Sequence, residues 1–322
     1  MTYLFLLIGF ALLIKGADFF VEGSSKIARA LNVSPLLIGL TIVAFGTSSP
    51  EATVSIVAAL EDNAGVAIGN VVGSNIFNIT FVVGLTALIN PLKVESVTIR
   101  KEIPFTLLAS VALLVLISDV SLQMLGANFI TRSDGFIFLL FFAIFLYYIF
   151  EVARQDREKG LANKNNDSTK VENVSWGKNI LFTLGGLAAI IFGGDVVVDN
   201  ATKIAYSFGM SETLVGLTIV AVGTSLPELI TSITAAIKKE SEIALGNIVG
   251  SNIFNILFVL GTASIISPLA VDSKIFTDVL LMIALTITIL IFSRTNHKIG
   301  KIEGVILAIA YIIYMVFIII RN

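Results

Sequence analysis

Two glutamates stand out because the residues around them are apolar. Glu51 ends the run Gly46-Thr47-Ser48-Ser49-Pro50-Glu51, and Glu228 ends Gly223-Thr224-Ser225-Leu226-Pro227-Glu228. A carboxylate near the centre of a bilayer costs roughly 2.5–3.5 kcal/mol on insertion scales, which marks it as a functional candidate. Proline has no N–H and clashes with the carbonyl four residues earlier. The carbonyls of Gly46 and Gly223, and of neighbouring Ala44 and Ala221, are therefore expected to lose helical partners. An unpaired carbonyl in hydrocarbon costs several kcal/mol unless it faces protein, water or an ion. Each motif thus offers one carboxylate, freed carbonyls and hydroxyls: Thr47 and Ser48 in the first, Thr224 and Ser225 in the second.

A second polar motif follows each glutamate. It reads Gly69-Asn70-Val71-Val72-Gly73-Ser74-Asn75-Ile76-Phe77-Asn78, and again Gly246-Asn247-Ile248-Val249-Gly250-Ser251-Asn252-Ile253-Phe254-Asn255. Asn70, Ser74 and Asn78 are spaced by four and share a helix face, as do Asn247, Ser251 and Asn255. The glycines, also four apart, let membrane helices approach closely. Asn75 and Asn252 lie about 100° around the helix and are read as packing braces. Taken alone, a proline is a kink and a glycine-rich face is packing. Both motifs occurring twice, each with a glutamate, are better explained by a site. The donor set is all oxygen, with two negative charges and no Lys, Arg or His, which suits a hard cation. Ca²⁺ takes about 6–8 oxygens at roughly 2.3–2.6 Å in flexible geometry. The same oxygens could divide into several smaller Na⁺ sites. Mg²⁺, which dehydrates reluctantly, fits less well.

The elements that must hold these motifs repeat with them. Residues 39–84 and 216–261 align without a gap, 177 positions apart, and are identical at well over half of their positions. The match extends upstream: Asp18, Glu22 and Lys26 correspond to Asp195, Asp199 and Lys203. These acids either anchor and cap helix ends or form an electrostatic funnel for cations.

The chain is 56% hydrophobic and 14% charged, with a mean hydropathy of +0.95. Soluble domains carry roughly 25% charged residues, so an all-α integral membrane protein is expected. About 20 apolar residues cross the hydrocarbon. Ten such segments are read: 2–23, 35–60, 64–90, 102–121, 130–152, 178–203, 211–238, 242–267, 275–293 and 302–320. The first lacks a basic n-region and a small-residue cleavage site, and is expected to be a retained span rather than a signal peptide. The expected organisation is a first half, 1–152, a charged, Asn-rich cytoplasmic linker, 153–177, and a second half, 178–322. Lys and Arg set orientation. With the linker inside, only Arg132, Lys203, Lys274 and Arg321 fall outside, and Lys15 lies within the first span. Both termini are then outside, and an odd number of spans per half makes the two halves inverted repeats, a hallmark of secondary transporters. There is no cysteine, hence no disulfide, thiolate site or Cys nucleophile, and the single histidine, His297, sits in a basic stretch. No cofactor and no nucleic-acid partner are expected.

With GTSxPE followed by GNxVGSNIFN in both halves, the chain resembles the cation/Ca²⁺ exchanger superfamily, most closely its prokaryotic sodium/calcium exchangers and their potassium-dependent relatives. The resemblance covers essentially the whole chain. It implies that Glu51 and Glu228 are cation ligands shared by Ca²⁺ and Na⁺. It implies that Thr47, Ser48, Thr224, Ser225, Ser74, Ser251 and Asn78 are polar ligands, and that Ala44 and Ala221 donate carbonyls. Asn255 stands where some relatives carry Asp, which argues against strict K⁺ dependence and adds Asn255 to the site. The long regulatory loop of animal exchangers is absent, so no cytosolic Ca²⁺ sensor is expected. The expected activity is antiport of Na⁺ against Ca²⁺ across the inner (cytoplasmic) membrane by alternating access, carried out by a monomer in the bilayer. H⁺/Ca²⁺ exchange through the same glutamates is the alternative, and K⁺ involvement is left open. An intramembrane enzyme is disfavoured because there is no HExxH, no GxSxG and no histidine in a span. A passive channel would pass Ca²⁺ without a counter-ion.

Overall fold

The computed structural model describes residues 1–124, 126–164, 175–209, 221–295 and 297–321. Much of the expected linker, the start of the expected span 211–238 and positions 216–220 of the second repeat lie outside the described residues. Besides two short helices, Ser96–Arg100 and Asp119–Gln123, the described helices are α1 (Thr2–Leu31), α2 (Pro35–Thr47), α3 (Ser49–Leu60), α4 (Ala64–Ile89), α5 (Glu102–Leu116), α6 (Arg132–Lys164), α7 (Trp176–Ser207), α8 (Ala221–Thr224), α9 (Leu226–Ile237), α10 (Ser241–Ile266), α11 (Ser273–Arg294) and α12 (Lys301–Arg321). Among the described residues, seven helices are long and apolar enough to cross a membrane, and eight if α2 and α3, bent by 48°, are one broken span.

Two expected spans are shorter than the sequence suggested. Helix α5 has 15 residues, about 22 Å at 1.5 Å per residue. The apolar run continues to Ile117, but the chain then turns into a separate short helix, Asp119–Gln123. Its Asp119 accepts a hydrogen bond from the Phe129 N–H at 2.8 Å. Helix α9 has 12 described residues. Conversely, α6 runs past 152 into the expected linker as far as Lys164. The stretch Ala153–Lys164 is rich in good helix formers and contains the i,i+4 ion pair Arg154–Glu158 at 3.1 Å.

The polar-stripe helices α4 and α10 lie at the centre, and α10 is buried almost throughout. Around them the outer helices present apolar side chains outward, including Leu181 on α7, Phe150 on α6 and Ile312 on α12, as lipid-facing surfaces require. Helices α1 and α7 cross at small residues. A Cβ on Gly186 would sit 2.6 Å from the Phe20 nitrogen.

The two halves interlock reciprocally. Strand β1 (Leu92–Lys93) pairs with β4 (Lys298–Ile299), and β2 (Phe129–Ile130) pairs with β3 (Leu269–Ala270), both antiparallel. Helix α11 starts after β3 and ends before β4, so the two ribbons sit at its opposite ends.

Helix α12 is pinned by a nearly buried, two-pronged ion pair, Arg321 to Asp278 on α11, with both contacts at 2.9 Å. Truncating one partner of a buried pair leaves the other charge unmatched, at about 3 kcal/mol. Asp278→Ala is expected to lower the unfolding temperature of the purified protein clearly; an unchanged melt would show that the pair contributes nothing.

Candidate ion-binding site

The prolines do more than kink a helix. Pro50 and Pro227 sit in the first turns of new helices, α3 and α9, where the missing N–H is no loss and φ is already helical. Glu51 and Glu228 are therefore acidic residues in a helix's first turn, where the positive end of the macrodipole favours a carboxylate.

One expectation about the break is corrected. The carbonyl of Ala44 is not freed: it accepts the Ser48 N–H at 3.0 Å and lies 3.4 Å from the Thr47 hydroxyl. Because the helix restarts at Ser49, the Ser48 N–H still closes the last turn onto Ala44. In the second copy the turn is tighter, with the Ser225 N–H reaching the carbonyl of Val222 at 3.2 Å. Ala221 is the first residue of α8, and only its backbone is described.

The two glutamates are fully buried and cross-linked. Ser48, three residues before Glu51, donates to Glu228 Oε1 at 2.7 Å. Ser225, three residues before Glu228, donates to Glu51 Oε1 at 2.8 Å and lies 3.0 Å from the Ser74 hydroxyl. Ser251 is 3.5 Å from Glu228 Oε1. Each carboxylate is thus held by a serine of the other repeat.

The asparagines divide into two sets. Asn70 donates to the Glu51 carbonyl at 3.1 Å and to Ser55 at 2.9 Å. Its counterpart Asn247 donates to the Glu228 carbonyl at 3.4 Å and to Ser232 at 3.0 Å. Their oxygens are within hydrogen-bond reach of the opposite threonines, Thr47 at 2.9 Å and Thr224 at 3.4 Å. Asn75 and Asn252 form the seam, as the sequence suggested. Asn75 donates to the Asn252 carbonyl at 3.2 Å, while the Asn255 and Asn78 amides donate to the side-chain oxygens of Asn75 and Asn252 at 3.2 and 3.4 Å.

Around the glutamate pair, four of the buried oxygens without partners are carboxylate or amide oxygens: Glu51 Oε2, Glu228 Oε2, Asn78 Oδ1 and Asn255 Oδ1. They come from two pairs of repeat-related residues, and all are acceptors. A buried polar atom left unpaired costs roughly 1–3 kcal/mol, more when charged. Four orphaned acceptors, with no cationic side chain beside them among the described residues, form a donor set whose chemistry suits a hard cation. Ser55 and Ser232 escaped the sequence reading. Each lies one helical turn beyond its glutamate and is identical in both copies, and that periodicity was the available signal.

Polytopic helices around a buried, all-oxygen cluster define a multi-pass membrane transporter. The sodium/calcium exchanger protein family matches residues 1–151 and 178–320, and the chain belongs to that family. The sodium/calcium exchanger MaX1 of Methanosarcina acetivorans is 36% identical over 98% of this chain and 97% of its own length. The inner membrane protein YrbG of Escherichia coli is 38% identical over 96% and 94%. The solved structure of the sodium-calcium exchanger NCX_Mj superposes with a TM-score of 0.82 at 32% identity, covering 98% of both chains. The relatives named as exchangers are transport proteins rather than enzymes, and the family supports cation/Ca²⁺ antiport.

Proposed function

We propose that the chain is a Na⁺/Ca²⁺ antiporter of the cytoplasmic membrane, with ten spans arranged as two inverted halves around the glutamate pair. The observation that carries this reading is the convergence of four buried, unpartnered carboxylate and amide oxygens from the two repeats around the glutamate pair. Glu51 and Glu228 supply the charge. Asn78 and Asn255 supply amide oxygens, and Ser48, Ser225, Ser74, Ser251, Thr47 and Thr224 supply hydroxyls that can rotate their lone pairs toward an ion. The second lone pair of the Ala44 carbonyl, and that of Ala221, complete the set. As domains we take a first half, 1–152, a linker, 153–177, and a second half, 178–322, with the flanking helices reaching into the linker at both ends.

Inversion is supported by the ribbons. β1·β4 and β2·β3 exchange under the relation between the halves, yet they lie at opposite ends of α11. An operation that swaps them must reverse the direction of the spans, as in inverted-repeat transporters. The Lys/Arg bias then places the linker inside and both termini outside.

Exchange follows from charge. An empty site with two carboxylates is costly to move across a low-dielectric barrier. Ca²⁺ or Na⁺ removes that penalty, so only loaded forms switch sides. In calorimetry on the detergent-solubilised protein, Ca²⁺ is expected to bind and Na⁺ to weaken that binding steeply. Ca²⁺ affinity indifferent to Na⁺ would sink the shared-site reading. Asn255→Asp, which adds a carboxylate at an orphaned position, is expected to raise Ca²⁺ affinity by about tenfold or more; an unchanged isotherm would remove Asn255 from the ligand set.

A further inference from the structure

The two ends of the molecule are not electrostatic equals. At one end, Lys238, just past α9, pairs with Asp18 on α1 at 2.7 Å and lies 3.9 Å from Glu22. It also donates to the Asp18 carbonyl at 2.7 Å. Two residues on, Glu240 accepts from Ser25 at 2.7 Å and from Arg29 at 2.5 Å, both on α1. These contacts tie α1 to the end of α9.

The repeat offset gives the corresponding set at the other end. Lys238 becomes Glu61, Asp18 becomes Asp195, Glu22 becomes Asp199, Arg29 becomes Tyr206 and Glu240 becomes Asn63. A cation–anion contact is thereby replaced by two acids, and the second ion pair by neutral residues. Among the described residues neither Glu61 nor Asp195 has an ionic partner. The packing agrees with the charges. Between α3 and α7, the counterparts of α9 and α1, there is a cavity of about 370 Å³. It is lined by Pro50 and Thr53 on one side and by Gly194, Asp195, Val198 and Asp199 on the other, and it reaches Thr224 and Pro227 beside the site. Val21, the counterpart of Val198, is fully buried.

We propose that Lys238 and Glu240 form a one-sided latch that holds the α1 end closed, while the acidic mirror set keeps the Asp195 end from closing unless cations are present. The proposal rests on the alternating-access reading and adds a resting direction: the ion-free protein stands open on the Asp195 side. On the Lys/Arg orientation, that side is outside. Exposed ion pairs are individually weak, so the latch biases a two-state equilibrium rather than locking it.

The natural absence of cysteine allows a clean test. Val198→Cys and Val21→Cys, made separately, report maleimide access at the two ends in ion-free detergent solution. Val198→Cys is expected to react much faster. Adding Lys238→Glu, which gives the latch end the sign of its mirror, is expected to lower the ratio of the two rates by roughly fivefold. Exchanging the charges, with Asp18→Lys alongside Lys238→Glu, is expected to restore the ratio. Glu61→Lys is expected to slow Val198→Cys labelling on its own. A ratio unmoved by Lys238→Glu, or moved but not restored by the exchange, would overturn the latch. Labelling requires no transport, so a protein with the expected labelling but no Na⁺-dependent Ca²⁺ flux would refute the exchanger reading while leaving the latch standing.

Discussion

Replacing either glutamate by glutamine is expected to abolish Ca²⁺ exchange while leaving the protein folded and inserted. Glutamine preserves shape. In Glu228→Gln the amide oxygen can still accept from Ser48, which donates to Oε1 at 2.7 Å in the native protein. What disappears is one negative charge and the orphaned acceptor Oε2, which becomes an NH₂ group pointing hydrogens where an ion should sit. Loss of even an outer partner costs a metal site about 10–100-fold, so loss of a charged ligand should exceed roughly 100-fold. Folding should survive, because a fully buried carboxylate opposes folding through its desolvation more than it supports it. Radioactive Ca²⁺ flux in vesicles, read beside gel filtration and thermal unfolding, separates the two effects. Exchange retained in both single variants would refute the ligand assignment.

Gly250→Val is expected to fail for a different reason. A Cβ at Gly250 would lie 2.7 Å from the Ala44 Cβ, 2.7 Å from the Leu40 carbonyl oxygen and 2.8 Å from the Leu40 Cα. Two of these atoms are backbone and cannot swing aside. Relief requires α10 to move off α2, which shifts Ser251 from Glu228 and Asn255 from Asn75. Overpacking typically costs about 1–3 kcal/mol, and here the clash meets backbone at the site itself. The expected result is a sharply lower yield of monodisperse protein and no measurable Ca²⁺ binding in what remains. Gly185→Val, whose Cβ meets nothing within 4 Å among the described residues, is the control and should behave as the native protein. A Gly250→Val protein with native stability and binding would show that α10 does not depend on this close approach.

The candidate site was legible in the sequence because its chemistry is conspicuous. Acids and prolines are rare in apolar runs, and a gap-free repeat marks which ones belong together. The direction of the backbone bonds was harder to read. Proline at position 50 predicts a disturbed helix, but both a kink that frees Ala44 and a fresh start at Ser49 satisfy that. The structure takes the second course, so the helix N-terminus rather than the Ala44 carbonyl becomes the main backbone contribution. Span boundaries erred where hydropathy and helix ends diverge. Ile117 is apolar but closes α5, and Ala153–Lys164 is polar yet helical. The seam formed by Asn75 and Asn252 was legible from helix angle alone. Ser55 and Ser232 were passed over: their repeat and their spacing from the glutamates mark them, but only the asparagine opposite shows what each serine does.

The central claim is that one buried oxygen cluster exchanges Na⁺ for Ca²⁺. The most direct measurement is Ca²⁺ uptake into proteoliposomes loaded with Na⁺, with K⁺ and pH varied separately. Uptake should require internal Na⁺, stop when the Na⁺ gradient is removed, and persist when the pH gradient is collapsed and K⁺ is absent. Uptake that ignores Na⁺ and follows a pH gradient would contradict the account and assign the glutamates to proton exchange.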